Sequence, residues 1–359
     1  MLHTEEIHPF PLLALVGQPE LKTALLIALI NPQVGGVLLS GPYGVGKTTA
    51  VRGLLDVMPI IEREIWDDDN NVHTVREPMR LIELPLNARL EDVVGGINER
   101  VALEQHVVLL EEGILARAHR NLLYVDEINL LSPQVIDAIL DAAAQGRTFV
   151  RRGPLIRLFP TQFVLVGSMN PEEGTLRPQI MDRFGLRVWV APLSDAQERL
   201  EVYRRAQHFR NDPEVFRRAY DRPTSELREE ITIAREILPH VVIPPQIETL
   251  TLNLIQELCI PSHRAEIALL EAARARAAAD FRGTVMVEDI ERMAPLALRQ
   301  RRSLQIESYA ARIEEENNTM AATLSRVIAS TEAPPPTEPQ PRKKRRSTVR
   351  EIEARKGDT

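Results

Sequence analysis

Gly41-Pro42-Tyr43-Gly44-Val45-Gly46-Lys47-Thr48 is the stretch on which the reading of this chain turns. The spacing Gly-x-x-x-x-Gly-Lys-Thr is that of a phosphate-binding loop. Glycines let backbone N–H groups turn inward on phosphates, Lys47 reaches the β and γ oxygens of a nucleoside triphosphate, and the Thr48 hydroxyl ligates Mg²⁺. The flanks have the order such a loop needs. Val37-Leu38-Leu39 reads as a short buried strand behind the Gly35-Gly36 break. From Thr49 onward Val51, Leu54, Leu55 and Met58 fall at helical spacing up to Pro59. That helix adds the positive end of its dipole to the anion site. A glycine turn that binds nothing requires neither neighbour.

Composition sets the outer limits. At 359 residues, with 44% hydrophobic content, the chain has room for two domains with ordinary cores. No run is long enough to span a bilayer. The N-terminus Met1-Leu2-His3-Thr4-Glu5-Glu6 lacks the basic and apolar regions of a signal peptide, so a cytoplasmic protein is expected. The single cysteine, Cys259, excludes an intrachain disulfide and a cysteine-based metal cluster, and is expected to be a small buried hydrophobe. Net charge is −7; residues 330–359 hold eight basic and five acidic side chains, so the remainder carries −10. Such a chain has no electrostatic footprint for nucleic acid.

Strand-like runs at 37–39, 81–83, 122–125, 163–166 and 187–190 alternate with helical patterns, which predicts an α/β fold: a mainly parallel sheet flanked by helices. The acidic Trp66-Asp67-Asp68-Asp69-Asn70-Asn71 reads as a solvated loop rather than a cation site. From Pro192 onward the pattern is helical. Residues 265–279 are predicted to form a bundle helix with Ile267, Leu270, Ala273 and Ala277 along one side, and a second helix follows Thr284. The expected divisions are a nucleotide-binding core at 1–191, linking helices at 192–245, a helical bundle at 246–303 as a separate small domain, and an extension at 304–359. Within the extension, Ala333-Pro-Pro-Pro-Thr-Glu-Pro-Gln-Pro341 has almost nothing to bury and reads as a linker, with Arg342-Lys-Lys-Arg-Arg346 in a mobile tail.

A second constellation completes a hydrolytic site. Leu122-Leu-Tyr-Val-Asp-Glu127 is an apolar strand ending in two carboxylates, placed outside the carboxyl end of the sheet. Asp126 would hold Mg²⁺ together with Thr48, leaving Glu127 to orient and polarise the attacking water. Asn170, at the end of Phe163-Val-Leu-Val-Gly-Ser-Met-Asn170, either caps a turn before Pro171 or senses the γ-phosphate. Arg177, Arg183 and Arg187 follow, and a phosphoryl-transfer site gains much of its rate from an arginine that a neighbouring molecule can supply.

Here a resemblance becomes specific. Phe10-Pro-Leu-Leu-Ala-Leu-Val-Gly-Gln18, the phosphate loop, Gly113-Ile-Leu-Ala-Arg-Ala-His-Arg120, Leu123-Tyr-Val-Asp-Glu-Ile-Asn-Leu130, Gly167-Ser-Met-Asn-Pro-Glu-Glu-Gly174, Leu176-Arg-Pro-Gln-Ile-Met-Asp-Arg-Phe-Gly185 and Ala294-Pro-Leu-Ala-Leu-Arg299 together resemble the AAA+ ATPase subunit I of magnesium chelatase, over about residues 8 to 303. The loop and the Asp-Glu pair are general to AAA+ proteins, whereas the strings around Asn170 and Arg183 are narrower. The resemblance implies an AAA+ P-loop NTPase core with a C-terminal helical lid, using ATP and Mg²⁺. It places Val16, Gly17 and Gln18 near the adenine, and Gly41, Gly44, Val45, Gly46, Lys47, Thr48 and Thr49 around the phosphates. By the same match Asn170 is sensor 1, Arg183 the finger given to the adjacent subunit with Asp182 positioning that interface, and Arg264 sensor 2, a cis arginine from the lid. Residues 84–98 and 148–160 resemble the family's hairpin inserts.

The implied partners are further copies in a ring, taken as a hexamer, an AAA+ subunit with a metal-binding adhesion-type domain, and the large porphyrin-binding subunit that inserts Mg²⁺ into protoporphyrin IX. No Asp-x-Ser-x-Ser pattern of the adhesion domain occurs in this chain. Departures lie at 60–80, which is short and lacks cysteine, at 106–112, and in the tail; they bear on the substrate and leave the motor chemistry intact. Two other readings stay open: a MoxR-type AAA+ chaperone for another client, which the short insert favours, and a DNA-directed motor using the basic tail, which the acidic remainder opposes.

Overall fold

The computed structural model describes residues 9–66, 72–97, 103–104, 109–152 and 155–332. The N-terminal hexapeptide, residues 67–71 of the acidic loop, Asn98, residues 106–108 and the proline-rich and basic segments beyond 332 lie outside the described residues. In chain order the strands are β1 (Val37–Ser40), β2 (Ile60–Trp66), β3 (Val72–Pro78), β4 (Leu81–Leu84), β5 (Gly95–Ile97), β6 (Leu110–Glu112), β7 (Leu122–Val125), β8 (Arg147–Arg152), β9 (Leu155–Pro160), β10 (Val164–Met169) and β11 (Leu186–Trp189).

Five of them form one parallel sheet in the order β11-β1-β10-β7-β4. Each of the five strand-like runs in the sequence supplies one. A parallel sheet is covered on both faces, so its strands are apolar throughout instead of alternating. Here Val37 and Leu39 of β1, Leu122 and Tyr124 of β7, and Val164 and Val166 of β10 enter one hydrophobic cluster with the helix Pro19–Ile30. Leu38, Leu123, Val125 and Leu165, one residue out of step, enter a second cluster with the helix Pro133–Gln145. The period of two thus survives as a division between two cores.

Among the described residues, three antiparallel ribbons lie outside the sheet. The insert expected at 148–160 is the hairpin β8–β9. In the insert at 84–98 the helix Leu90–Val94 leads into β5, which pairs antiparallel with β6 from Leu110. Gly95 makes that pairing possible. It has φ +115, and a Cβ there would sit 2.6 Å from the Glu111 carbonyl oxygen. The β2–β3 ribbon was not anticipated, although Ile and Val residues on both sides of the acidic loop carried its signal.

The helices Ala196–Asn211, Pro213–Arg218 and Asp221–Ile237 lead to a bundle of Pro245–Glu257, His263–Ala279 and Val287–Leu298. His263–Ala279 buries Ala265, Ala268, Leu269, Ala272, Ala273 and Ala277, with Leu270 packed against the core; of the side expected to be apolar, Ile267 alone turns outward, at 58% exposed. The cause is tertiary. This helix packs on Pro19–Ile30 as well as on Val287–Leu298, and alanine faces admit both neighbours closely. Its residues share one hydrophobic cluster with the sheet, and the compact units are 1–303 and 304–359. The second unit contains the 29-residue helix Leu304–Glu332.

Cys259 is exposed, contrary to the expectation of burial. It terminates Pro245–Glu257 with φ +52, where the Ile260 N–H reaches the Ile255 carbonyl and the Cys259 N–H that of Gln256. These two bonds are a Schellman cap, and the residue in the left-handed position points outward.

The connection into β11 makes the tightest backbone approach. A Cβ on Gly185 would lie 1.6 Å from the Val34 carbonyl oxygen, whereas one on Gly283 would meet nothing within 4 Å. Gly185→Ala is therefore expected to destabilise unit 1 by about 3 kcal/mol or more, through forced backbone displacement. Gly283→Ala is expected to stay within about 1 kcal/mol of wild type. Urea midpoints at equal m-value measure both; equal midpoints for the two variants would contradict the packing described.

Candidate nucleotide site

The phosphate loop runs from β1 into the helix Lys47–Gly53. Its glycines have different reasons to be glycine. Gly44 and Gly46 adopt φ +74 and +89, the left-handed region that turns N–H groups inward. Gly41 has no such φ, but a Cβ there would lie 2.4 Å from the Val190 carbonyl oxygen. Its smallness therefore serves the contact with the end of β11. The Lys47 ammonium donates to the carbonyls of Gly41 at 2.5 Å and Pro42 at 2.9 Å. Burial lowers its pKa, against the opposing pull of Asp126, Glu127 and Glu173.

Parallel register brings the ends of β7 and β10 beside the loop. Asp126 Oδ2 accepts from the Thr48 hydroxyl at 3.1 Å, and Oδ1 accepts from the Tyr124 hydroxyl at 2.8 Å and from Ser168. The Ser168 oxygen also accepts the Glu127 N–H at 3.2 Å, so one hydroxyl sets both carboxylate residues. Neither Tyr124 nor Ser168 stood out in the sequence. The available signal was a polar group within each otherwise apolar buried strand. Burial pushes the Tyr124 phenol well above its ordinary range, keeping it a neutral donor.

Glu127 turns away from the strand with φ +49. Its pKa is raised above the ordinary 4.5, first by desolvation, then by Glu173 and Asp126, with Lys47 acting the other way. Thr48 and Asp126 supply the hard oxygen donors that suit Mg²⁺, whose other ligands would come from nucleotide phosphates and water. Among the described residues no group of three or more His, Cys, Asp or Glu could hold a metal ion.

Asn170 takes the turn-capping position. Its Oδ1 accepts the Glu172 N–H at 3.2 Å and so caps the turn. Its buried Nδ2 has no hydrogen-bond partner, although the residue is only 1% exposed. Asn170 lines a cavity of about 190 Å³ together with Lys47, Thr48, Asp126, Glu127 and Ser168. An orphaned donor there is a group held ready for an acceptor.

A second cavity, about 610 Å³, adjoins the first and shares Gly44, Val45, Gly46 and Thr49 with it. Val16 and Gln18 line it opposite Leu193, Val202 and Tyr203. Gln18 is fixed by its side-chain bond to the Ala191 carbonyl at 2.7 Å. Gly17, with φ +63, lies so close to Leu193 that a Cβ would meet its Cδ2 at 2.8 Å.

The arginines lie elsewhere; neither cavity is lined by Arg183 or Arg264. Arg183 pairs with Asp141 at 2.6 Å. Arg264 faces Asp182 at 3.6 Å, beside Ser262, which donates to the same carboxylate at 2.8 Å. Its position is thus next to Arg183, not at its own phosphate loop as a cis sensor would be. Arg177 is exposed at the start of the short helix Pro178–Met181. Arg187 is buried: its guanidinium donates to the carbonyls of Met181 at 2.7 Å and Gln300 at 2.6 Å, and burial lowers its pKa to about 10. Arg187 is accordingly a structural cation and cannot serve as a finger.

The raised pKa of Glu127 has a stability consequence. Folding disfavours its ionised form, so the cost is absent well below pH 4.5 and present above the folded-state pKa. Glu127→Gln is expected to raise the melting temperature of nucleotide-free protein at pH 7, with the gain shrinking as pH falls toward 4.5. Thermal melts across that range measure it, and a lower melting temperature at pH 7 would contradict the electrostatics described.

Comparison with known proteins agrees with this geometry. The family described as magnesium chelatase, subunit ChlI, matches residues 12–179, and the AAA lid domain matches residues 252–322. The magnesium-chelatase subunit ChlI homolog of Methanocaldococcus jannaschii is 39% identical, over 83% of this chain and 86% of its own length. The magnesium-chelatase 38 kDa subunit of Chlorobaculum tepidum is 37% identical, over 81% of this chain and 80% of its own. Among solved structures, a putative ATPase from Cytophaga hutchinsonii shares the fold, at 21% identity and a TM-score of 0.55, over 85% of this chain and 90% of that one. With its five-stranded parallel sheet, phosphate loop and lid, this chain belongs to the magnesium chelatase subunit I family of AAA+ proteins.

Proposed function

We propose that this chain is an ATP-hydrolysing motor subunit of a magnesium chelatase, acting in the cytoplasm as a ring oligomer and driving Mg²⁺ insertion into protoporphyrin IX by partner subunits. One observation carries the hydrolytic part. Lys47, Thr48, Asp126, Glu127 and the orphaned amide of Asn170 meet in one cavity, while Arg183 points to another surface. The site holds binding groups, a base and a sensor. Among the described residues, no arginine lines that cavity.

The roles follow from the geometry. Lys47 leaves its two carbonyls for the β and γ oxygens, and the inward N–H groups of the loop hold the remaining phosphate charge. Thr48 and Asp126 would hold Mg²⁺, which when bound neutralises phosphate charge. Glu127, anchored through its N–H to Ser168, accepts the proton of the attacking water. Asn170 Nδ2 donates to the γ-phosphate or to that water. Val16 and Gln18 border the base. Arg183 would serve the site of an adjacent subunit, and the position of Arg264 beside Asp182 puts it on the same side, so we assign it to the neighbour's site as well.

The chelatase part rests on the relatives, two of which are named as magnesium-chelatase subunits or their homolog. The partners proposed are an AAA+ subunit with a metal-binding adhesion-type domain and the large porphyrin-binding subunit.

Arg183→Ala is expected to bind ATP normally and to lose about 10³-fold or more in kcat. Mixing it with Lys47→Ala subunits should return part of the turnover, because those subunits retain Arg183. Full turnover by Arg183→Ala alone would refute the donated arginine. Glu127→Gln should bind and retain ATP, measured by nucleotide occupancy after desalting; rapid turnover would remove Glu127 as the base. Reconstitution with the candidate partners and protoporphyrin tests the substrate: ATP-dependent appearance of Mg-porphyrin fluorescence is expected, and its absence with an active ATPase would reject the chelatase assignment.

A further inference from the structure

The segment Arg299-Gln300-Arg301, which leaves the last helix of the bundle, is tied at each residue to a different part of the core. Arg299 forks onto Glu20, with Nη1 to Oε2 at 2.8 Å and Nη2 to Oε1 at 3.2 Å. Glu20 lies in the first turn of Pro19–Ile30, directly after Gln18 and Pro19, and Gln18 lines the base cavity. The carbonyls of Arg299 and Gln300 accept from Arg187 Nη1 at 3.2 and 2.6 Å. Gln300 itself has φ +59, a conformation that a glutamine holds only where its surroundings impose it.

Arg301 is the best-held of the three. Its side chain is 0% exposed, and it donates through Nη1 to Asp182 Oδ1 at 2.6 Å and through Nη2 to the carbonyls of Phe184 at 2.8 Å and Gly185 at 3.0 Å. Nε donates to the Ala297 carbonyl at 2.6 Å. One planar guanidinium therefore grips the residues on both sides of Arg183. A rigid fork fixes direction as well as distance, which a lysine ammonium does not.

We propose that Arg301 is the positioning residue for Arg183, and that Arg299–Arg301 forms a strap linking the base cavity of a subunit to the arginine that this subunit offers its neighbour. The proposal rests on the donated-arginine reading given above. Asp182 is the shared anchor. It receives Arg301 and Ser262 by hydrogen bonds, and Arg264 lies 3.6 Å from it, so movement of the lid against the strand β11 is felt at the residue next to Arg183. At the other end Glu20 moves with the helix that begins beside the base. A displacement of about 1 Å in a charge-stabilising group is enough to cost ~100-fold in rate.

The test is steady-state ATPase of the full chain with nucleotide affinity measured separately. Arg301→Lys keeps the charge and loses the fork; it is expected to bind nucleotide like wild type, with unchanged KM and kcat lowered about 10- to 100-fold. Mixing it with Lys47→Ala subunits should restore turnover, because those subunits offer a correctly held Arg183 to the intact sites of the Arg301→Lys subunits. A purely structural or cis role would not be rescued in this way, and absence of rescue would overturn the proposal. Because Arg301 is buried, the half-exposed pair gives a second route that does not threaten folding. Glu20→Arg and Arg299→Glu should each lower kcat severalfold, and the double reversal should recover it. Wild-type turnover in both single variants would overturn the strap. Arg183→Ala at full turnover would refute the donated arginine itself, whereas an inactive Arg183→Ala beside a fully active Arg301→Lys would refute only the positioning role.

Discussion

The Asp126 carboxylate is the point on which the rest of the site depends. Thr48 from the phosphate-loop helix, Tyr124 from β7 and Ser168 from β10 all donate to it. These residues come from three separate parts of the chain, and only the parallel order β1-β10-β7 sets their ends side by side. Charge-assisted bonds of this kind contribute about 1.5–3 kcal/mol each where they are shielded from water. The same carboxylate therefore ties together the carboxyl ends of central strands and prepares an oxygen site for a divalent cation.

Charge explains why the site is demanding. Asp126, Glu127 and Glu173 act together on Lys47, and the two other carboxylates raise the pKa of Glu127. A polyphosphate arriving at such a cavity meets repulsion that one ammonium does not cancel. The inward N–H groups of the loop and a divalent cation are what make the exchange favourable. Stability is given up here for chemistry, as it is at the unpartnered Asn170 amide.

A second centre stands at Asp182, where Arg301 and Ser262 are bonded and Arg264 and Arg187 approach at 3.6 and 3.7 Å. Removing several cations from water around one carboxylate costs more than the pairing returns, unless backbone carbonyls share the load. They do so here: Arg187 and Arg301 spend most of their donors on the carbonyls of residues 181, 184, 185, 297, 299 and 300. Such a junction ties lid to sheet at the approach to β11. It also accounts for an Arg-Phe-Gly string in which Phe184 is buried, Gly185 cannot carry a Cβ, and the preceding Arg183 is partly exposed.

The linear sequence by itself determined the phosphate loop, the five strands of the sheet and the Asp126–Glu127 pair. These are local patterns: fixed spacings and unbroken apolar runs. Tertiary structure alone decided the rest. Ser168 and Tyr124 became site residues because strand register placed their hydroxyls at Asp126. Arg187, one of three similar arginines in the string, became a buried clamp because β11 runs beneath the lid. Arg264 came to Asp182 rather than to the phosphates because of where the bundle docks. Ile267 turned outward and Ala268 inward because helices on two sides compete for one surface. Cys259 was exposed by the cap it occupies. In each case side-chain identity was legible, but its environment was set by residues far away in sequence, and a one-dimensional pattern carries no record of which distant backbone will lie beside it.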